Sequence, residues 1–266
     1  MTNDIVTRNN IHTFGSGTQP IMFAHGFGCA QPIWRLVAPA FADSHQVVLF
    51  DYVGAGRSDR SAFSATRYAT LAGYAQDVVD ICTALDLREI VFVGHSVSGM
   101  IGLLASLRMP ERFANLILIG SSPRYINDPP DYYGGFERED IEGLLDLMEK
   151  NYRGWASYLA PLVMKNADRP ELARELEESF HATEPTIARH FAEATFFTDN
   201  RQDLPHVAVR SLLLQCRDDM IVPQQVAEYL RDHIPASTLC ELHATGHYPH
   251  VSHAAEVIRQ LNQFLR

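Results

Sequence analysis

The stretch that decides the fold is Ile90-Val91-Phe92-Val93-Gly94-His95-Ser96-Val97-Ser98-Gly99. Its first four residues are β-branched or aromatic and favour a strand, and the small, apolar residues after it are typical of a buried helix. Ser96 therefore lies in a tight turn between a strand and a helix. Such a turn needs small residues two before and two after the serine, and Gly94 and Ser98 meet this need. We interpret Ser96 as a catalytic nucleophile.

Three further apolar runs in the first half of the chain, each closed by Gly or Asp after a residue or two, have the same strand character: residues 21–24, 47–50 and 116–119. Continuous runs of this kind are typical of strands buried on both faces. Residues 71–85 carry apolar side chains at helical spacing. The alternation of strand and helix predicts an α/β fold with a mostly parallel sheet, right-handed crossovers and helices on both faces.

The pattern changes after Gly120. Residues 125–200 contain no strand pattern and indicate several helices interrupted by prolines, before strand character returns at 211–216 and 238–242. We therefore predict an α/β core from residues 1–124 and 201–266, with residues 125–200 inserted as a helical lid. The insertion holds 11 of the 26 aromatic residues. These residues either pack the lid onto the core or line an apolar cavity beneath it.

A second glycine turn, His25-Gly26-Phe27-Gly28, follows the predicted strand 21–24. In a fold with the serine turn described above, this loop supplies one backbone donor for a developing oxyanion, and the residue after the nucleophile supplies another. We therefore expect the N–H groups of Phe27 and Val97 to form an oxyanion hole.

A candidate acid and a candidate base follow the last two predicted strands. Asp218 and Asp219 come after residues 211–216, and His247 comes after residues 238–242. The chain order Ser, Asp, His is typical of a serine triad on this fold. We predict His247 as the base and Asp219 as the acid, with Asp218 as the alternative.

We also considered a metal site at the C-terminal histidines and a nucleotide-binding loop at residues 51–58, and we favour neither. His243, His247, His250 and His253 are spaced as metal ligands on a helix would be, but Gly246 and Pro249 interrupt any helix there, and the zinc motif HExxH is missing. The loop at residues 51–58 lacks the GxGxxG spacing of a dinucleotide site, so we interpret it as structural. The sequence predicts neither a metal nor another cofactor.

The net charge and the cysteines indicate which partners and which cellular compartment to expect. The formal net charge is −10, which disfavours nucleic acid and anionic membrane surfaces as partners. The first residues do not have the pattern of a signal peptide, and no apolar run reaches the length of a membrane span. None of Cys29, Cys82, Cys216 and Cys240 forms a CxxC pair, which favours reduced thiols. We predict a cytoplasmic protein.

Beyond the serine turn, longer strings of the sequence resemble one group of α/β-hydrolases. The strings are GHSVS (94–98), AHGFGC (24–29), DYVGAGRSD (51–59), NDPPDYYGGFE (127–137) and ATGHYPHVSH (244–253). They are similar to those of the bacterial RsbQ group, whose relatives include the plant karrikin and strigolactone receptors. The resemblance extends from about residue 23 to residue 264. At Ser98-Gly99 the chain looks more like the plant receptors than like the Bacillus protein.

The resemblance implies the α/β-hydrolase fold, the triad Ser96, Asp219 and His247, and a four-helix lid over an apolar pocket. Our candidates for the lining of that pocket are Phe27, Phe136, Trp155, Tyr158, Phe180, Phe196 and Met220. The ligand would be small and hydrophobic. RsbQ-like proteins are positive regulators of a stress-response phosphatase with a sensory domain, so such a phosphatase is an expected partner.

The resulting hypothesis is a serine hydrolase of a small apolar ester or lactone with an RsbQ-like signalling role. The alternatives are a receptor-hydrolase of the butenolide or strigolactone type, a purely metabolic esterase, and a hydrolase of carbon–carbon bonds. Dehalogenases and epoxide hydrolases share the fold but need an aspartate where this chain has Ser96.

Overall fold

A seven-stranded sheet organises the chain, as described for residues 2–266 in a computed structural model. Its strands, in spatial order, run β1-β3-β2-β4-β5-β6-β7. Their bounds are β1 His12–Phe14, β2 Pro20–Ala24, β3 Gln46–Leu49, β4 Ile90–His95, β5 Phe113–Ile119, β6 Arg210–Asp218 and β7 Ser237–Thr245. All neighbours from β3 to β7 are parallel. The predicted α/β fold with a mostly parallel sheet is confirmed.

Ten α-helices accompany the sheet in the described part of the chain. They are α1 Thr2–Arg8, α2 Leu71–Ala84, α3 Val97–Arg108, α4 Arg138–Lys150, α5 Tyr152–Met164, α6 Pro170–His181, α7 Pro185–Phe196, α8 Gln224–His233, α9 Pro249–Ser252 and α10 Ala254–Phe264. Every residue of β2 and β4 is buried, so the centre of the sheet is covered on both faces. None of these helices combines the length and the apolarity that a membrane crossing requires.

The edge strand β1 departs from the sequence pattern. It pairs antiparallel with β3, from His12 opposite Leu49 to Phe14 opposite Val47. All three of its residues are exposed, so it carries no apolar run that a sequence pattern would reveal. Edge strands are held by backbone pairing on one side only, which needs no particular side chains.

Helices α4 to α7 all lie between β5 and β6 in the chain. Side chains at their first residues explain where they begin. Glu137 and Asp140 form a reciprocal capping box at α4, and Asn151 accepts from the Gly154 N–H at α5. Pro170 and Pro185 are the first residues of α6 and α7, a position where the missing N–H costs nothing. These two prolines therefore start helices, and Pro161 lies within α5.

Candidate active site

Ser96 occupies a strained turn between β4 and α3. Its backbone has φ 55° and ψ −125°, outside the regions that L-residues favour, and its N–H donates to the Ile119 carbonyl at 2.8 Å. Strand and helix come so close that a Cβ on Gly94 would lie 2.5 Å from the Ser98 carbonyl oxygen. The turn therefore requires glycine at position 94, and the strain at Ser96 is held by the sheet and the helix on either side.

Ser96, His247 and Asp219 form a continuous chain of hydrogen bonds. The His247 Nε2 lies 2.8 Å from the Ser96 Oγ, and the His247 Nδ1 lies 2.7 Å from the Asp219 Oδ2. A carboxylate accepts, so Nδ1 carries the proton and Nε2 is free to accept from the serine hydroxyl. The side chains of His247 and Asp219 are 4% and 0% exposed, so water competes little with these bonds.

The two candidate acids have different surroundings. The second oxygen of Asp219, Oδ1, accepts from the backbone N–H groups of Ile221 and Val222 at 2.8 and 3.2 Å, which fixes the carboxylate toward His247. Asp218 is the last residue of β6; its side chain is 55% exposed and pairs with Lys165 Nζ at 2.5 Å. The geometry thus places Asp219, not Asp218, beside the imidazole.

Two backbone N–H groups close to Ser96, those of Val97 and Phe27, are candidates for an oxyanion hole. Val97 is the first residue of α3, so its N–H has no carbonyl one turn earlier to accept it. The hydrogen bonds among the described residues also leave the Phe27 N–H without an acceptor. The loop of Phe27 is drawn close to the serine turn, because a Cβ on Gly26 would lie 2.6 Å from His95 Nδ1 and 3.3 Å from the Ser96 Cβ.

Ser98, the residue that replaces glycine in the usual pattern, ties this loop to the helix. Its hydroxyl donates to the His25 carbonyl at 2.5 Å and accepts from the Tyr52 hydroxyl at 3.0 Å. The Nε2 of His25 accepts from the Tyr52 N–H at 3.2 Å, and its Nδ1–H donates to the Gly26 carbonyl at 2.9 Å. Burial lowers the pKa of His25, so its ring stays neutral. The neutral ring keeps both of these hydrogen bonds, which fix the loop at residues 25–28.

A mainly apolar cavity opens onto Ser96 and His247. The rest of its lining comes from the loops beside the sheet and from α5, α6 and α7: Phe27, Tyr125, Leu159, Val163, Phe180, Thr195, Phe196, Ile221 and Tyr248. The Phe27 ring packs against Phe180 and Phe196 at centroid distances of 6.4 and 6.1 Å, so core and inserted helices share one aromatic wall.

The structure brings some of the pocket candidates to this cavity and leaves others outside. Phe27, Phe180 and Phe196 line it. Trp155 lies one layer behind, fully buried against Phe27 at 5.9 Å and Phe180 at 5.2 Å.

Trp155 and three further candidates do not line the cavity, so these four predictions were wrong. Tyr158 is 60% exposed, because α5 presents Trp155, Leu159 and Val163 inward at four-residue spacing and Tyr158 is off that face. Met220 is 42% exposed, and its neighbour Ile221 lines the cavity instead. Phe136 is half-buried in the segment before α4, where its backbone pairs with Tyr125 and Asn127.

Sequence reasoning missed several residues at the site. Tyr125 and Tyr248 line the cavity; Tyr125 was visible only as one of many aromatic residues in the insertion, and Tyr248 only as the neighbour of His247. Leu159 and Val163 could have been found from the apolar spacing within α5. Burial raises the pKa of Tyr125, so its phenol stays protonated beside Ser96.

A cluster of buried imidazoles lies behind the base. His95 Nε2–H donates to the His247 carbonyl at 2.8 Å, and its ring packs against that of His250 at 4.4 Å. Among the residues that the structure describes, the other nitrogen of His95 and both nitrogens of His250 have no hydrogen-bond partner. His250 stacks on Trp34 at 4.4 Å, and burial together with the nearby His247 lowers its pKa to about 3. Burial also lowers the pKa of His95, so both rings are neutral at pH 7.

Within the described residues, no three His, Cys, Asp or Glu side chains gather as metal ligands. Around Ser96, the arrangement can accept the serine proton on His247, hold the resulting imidazolium against Asp219, and stabilise negative charge with two backbone N–H groups. This set of functions is that required for acyl transfer from an ester to serine and then to water.

Comparisons with known proteins agree with this hydrolase chemistry. The family described as alpha/beta hydrolase fold matches residues 19–254. The chain is 41% identical to strigolactone esterase D14 of Arabidopsis thaliana over 264 residues, covering 99% of this chain and 97% of that one. It is 39% identical to karrikin insensitive 2 receptor CA of Petunia hybrida, covering 94% and 93%.

Among solved structures, a hydrolase from Oleispira antarctica superposes with a TM-score of 0.96 at 44% identity, covering 99% of this chain and 96% of that one. These similarities run through the inserted helices as well as the sheet, since almost the whole length of each chain is matched.

Proposed function

The chain belongs to the α/β-hydrolase family, and from that premise we propose that it is a serine hydrolase that cleaves a small apolar ester or lactone. The observation that carries this proposal is the hydrogen-bonded chain from Ser96 through His247 to Asp219, closed off from water beside an apolar cavity. Relatives named as esterases support hydrolysis as the reaction class.

In the proposed first step, the Ser96 Oγ attacks the carbonyl carbon while His247 Nε2 takes its proton. The tetrahedral oxyanion is held by the N–H groups of Phe27 and Val97. His247 then gives the proton to the leaving alkoxide, or to the ring oxygen of a lactone, and an acyl–Ser96 ester remains. A water molecule, deprotonated by His247, releases the acid and restores Ser96. Asp219 orients the imidazole throughout.

We propose that residues 125–200 act as the lid of this site, with residues 1–124 and 201–266 as the core. Support comes from the walls of the cavity, where Phe180 and Phe196 of the inserted helices face Ser96 and His247 of the core. The mainly apolar lining favours a small hydrophobic substrate over a charged one.

For the biological role, the named relatives favour a receptor-hydrolase over a regulator of a phosphatase. One relative is named as a strigolactone esterase and another as a karrikin insensitive receptor, and both match nearly the whole chain. We therefore propose a ligand of the lactone class whose hydrolysis is coupled to signalling. The RsbQ-like role, with a sensory-domain phosphatase as partner, is the second candidate and is supported by the 127–137 string.

We place this activity in the cytoplasm. All four cysteines carry free thiols, three of them buried, as is typical of proteins in a reducing compartment.

The reaction is tested by incubating the protein and its Ser96→Ala variant with p-nitrophenyl acetate. We expect release of p-nitrophenol by the unchanged protein and loss of at least about a thousandfold in kcat for the variant. Equal turnover by the two proteins would refute the proposal. The two candidate roles are separated by binding: a butenolide series should raise the melting temperature, whereas a phosphatase regulator should capture a purified sensory-domain phosphatase.

A further inference from the structure

The loop that carries the candidate oxyanion donor Phe27 is anchored on both sides. On the core side, the His25 carbonyl accepts from the Ser98 hydroxyl of α3 at 2.5 Å. On the other side, the Gly28 carbonyl accepts from the Ser179 hydroxyl of α6 at 2.9 Å. The Phe27 N–H lies in the chain between these two anchors, one of which belongs to the core and the other to the inserted helices.

The anchor on α6 is reinforced by close packing. A Cβ on Gly28 would lie 2.3 Å from Phe180 Cδ1, and Gly28 has φ +70°, a conformation that favours glycine. The Phe180 ring also packs against the ring of Phe27 at a centroid distance of 6.4 Å. Two consecutive residues of α6, Ser179 and Phe180, therefore hold two consecutive residues of the loop.

A second polar contact of α6 ends on the same part of the chain. Glu175 lies one turn before Ser179, so the two side chains share one face of the helix. The Glu175 carboxylate pairs with Arg35 Nη2 at 2.6 Å, but the two side chains are 38% and 42% exposed, so this pair contributes little free energy. Ser179 is half-buried, and of the two contacts it is the one beside Phe27.

The hydrogen bonds within the loop hold the Phe27 N–H only weakly. The bond from the Cys29 N–H to the Gly26 carbonyl, which closes the turn around Phe27, is long at 3.3 Å. An oxyanion donor has to lie about 2.7–3.1 Å from the oxygen of the tetrahedral intermediate. The direction of the Phe27 N–H therefore depends on the anchors outside the loop.

We propose that Ser179 is a positioning residue for the oxyanion hole. Its hydrogen bond to the Gly28 carbonyl directs the Phe27 N–H toward the oxyanion, so the hole is complete only while α6 is docked on the core. This inference rests on the proposed function. Ser179 acts through the backbone of the loop and not on the substrate, so its effect belongs to the transition state, where negative charge forms, and not to substrate binding.

Steady-state kinetics on p-nitrophenyl acetate give the first test. Ser179→Ala should lower kcat and kcat/KM together by about three- to tenfold and leave KM within about twofold, as expected when a hydrogen bond that acts only in the transition state is lost. Ser179→Thr keeps a hydroxyl and should recover most of the rate. The matched control is Ser157→Ala, which should keep full activity, because the Ser157 hydroxyl donates to Glu177 within the insertion.

A transition-state analogue separates positioning from packing. The Ser96 Oγ adds to the carbonyl carbon of a phenethyl trifluoromethyl ketone, the serine proton passes to His247, and the carbonyl oxygen becomes the oxyanion. The matching phenethyl methyl ketone is the ground-state control. In calorimetric titrations, Ser179→Ala should weaken the trifluoromethyl ketone about three- to tenfold and the methyl ketone less than about twofold. Equal changes for the two ketones, or a Ser179→Thr variant that behaves like Ser179→Ala, would overturn the positioning role.

The outcomes also separate this inference from the proposed function. If p-nitrophenyl acetate is hydrolysed through Ser96 with the same kcat in Ser179→Ala, the hydrolase stands and the positioning role is wrong. If no ester is hydrolysed but Ser179→Ala selectively weakens a trifluoromethyl ketone adduct that requires Ser96, the positioning role stands and the hydrolase is wrong. If no adduct forms on Ser96, both are wrong.

Discussion

The backbone N–H of His247 donates to the carbonyl of Val163 in α5 at 2.8 Å, so the candidate base is attached directly to the inserted helices. Neighbouring contacts strengthen this attachment. Lys165 pairs with Asp218, and Arg169 donates to the Ser252 carbonyl at 2.7 Å. A movement of the C-terminal end of α5 would therefore displace the loop that carries the His247 imidazole.

Gly246→Ala tests this attachment. Gly246 has φ +81°, and a Cβ there would lie 2.1 Å from the Met164 carbonyl oxygen, so alanine forces the loop away from α5. Because a displacement of about 1 Å in a catalytic group costs about 100-fold in rate, we expect kcat for an ester to fall by about that factor. Steady-state kinetics on p-nitrophenyl acetate provide the measurement.

The control is Gly143→Ala, on the exposed face of α4 with nothing within 4 Å of the added Cβ. It should keep full activity and raise the free energy of unfolding by about 0.5–1 kcal/mol. Full activity in Gly246→Ala would mean that the attachment to α5 does not position the base.

The buried imidazoles predict how stability depends on pH. The pKa values of His25, His95 and His250 are lowered in the folded protein, that of His250 to about 3, mainly because burial disfavours the charged form. The unfolded chain therefore binds protons that the folded one does not. Stability contributed by these groups is complete above their unfolded pKa of about 6.5 and is lost as the pH falls below it, by up to about 1.4 kcal/mol per unit and histidine.

Chemical denaturation between pH 7.5 and 5 measures this slope. His250→Phe keeps an aromatic ring on Trp34 but cannot take up a proton in the unfolded state, so its slope should be smaller. His206→Gln, at an exposed position, is the control and should keep the slope of the unchanged protein. Identical slopes in His250→Phe and the unchanged protein would argue against a buried neutral His250.

Much of the site was predictable because it depends on local patterns. The turn at Ser96 and the loop at Phe27 follow short apolar strands directly, so their places at the sheet edge follow from the parallel order. The choice between Asp218 and Asp219 needed the structure, because adjacent residues point in different directions at a strand end.

The cavity lining was less predictable for a physical reason. Which side of α5 faces Ser96 depends on how that helix packs, and the aromatic Tyr158 is on its outer side while Leu159 is on the inner side. Aromatic character alone does not identify a lining residue. The contact of His95 with the His247 carbonyl joins residues 152 positions apart and has no sequence signal.

Ser98→Gly would restore the more usual glycine and remove the hydroxyl that joins His25 and Tyr52. We expect it to lower the free energy of unfolding by about 1–3 kcal/mol, because the Tyr52 hydroxyl is left buried without an acceptor. Adding Tyr52→Phe should recover part of this loss. A double-mutant cycle by urea denaturation measures the coupling, and strictly additive effects would contradict the link.

His95 is a positioning residue in this scheme, since it touches the backbone of the base and not the substrate. His95→Leu removes the donor to the His247 carbonyl and should lower kcat by about tenfold with little change in KM, on the scale of one lost hydrogen bond. His95→Gln retains an N–H donor and should recover most of that rate. Equal losses in the two variants would point to packing alone.

Asp219→Asn separates the two candidate acids. An amide at position 219 can donate to His247 Nδ1, which places the imidazole proton on Nε2 and leaves it unable to accept from Ser96. We expect kcat to fall by about 10³- to 10⁴-fold, as an Asp-to-Asn change does in serine triads, while the fold is retained. Asp218→Asn removes only a half-exposed pair with Lys165 and should cost less than about twofold in kcat. The measurement is the ratio of kcat for ester hydrolysis in the two variants. Each variant loses one carboxylate at adjacent positions, so the ratio shows which carboxylate acts on His247. A larger loss for Asp218→Asn than for Asp219→Asn would require a rearranged triad in which the exposed carboxylate turns inward.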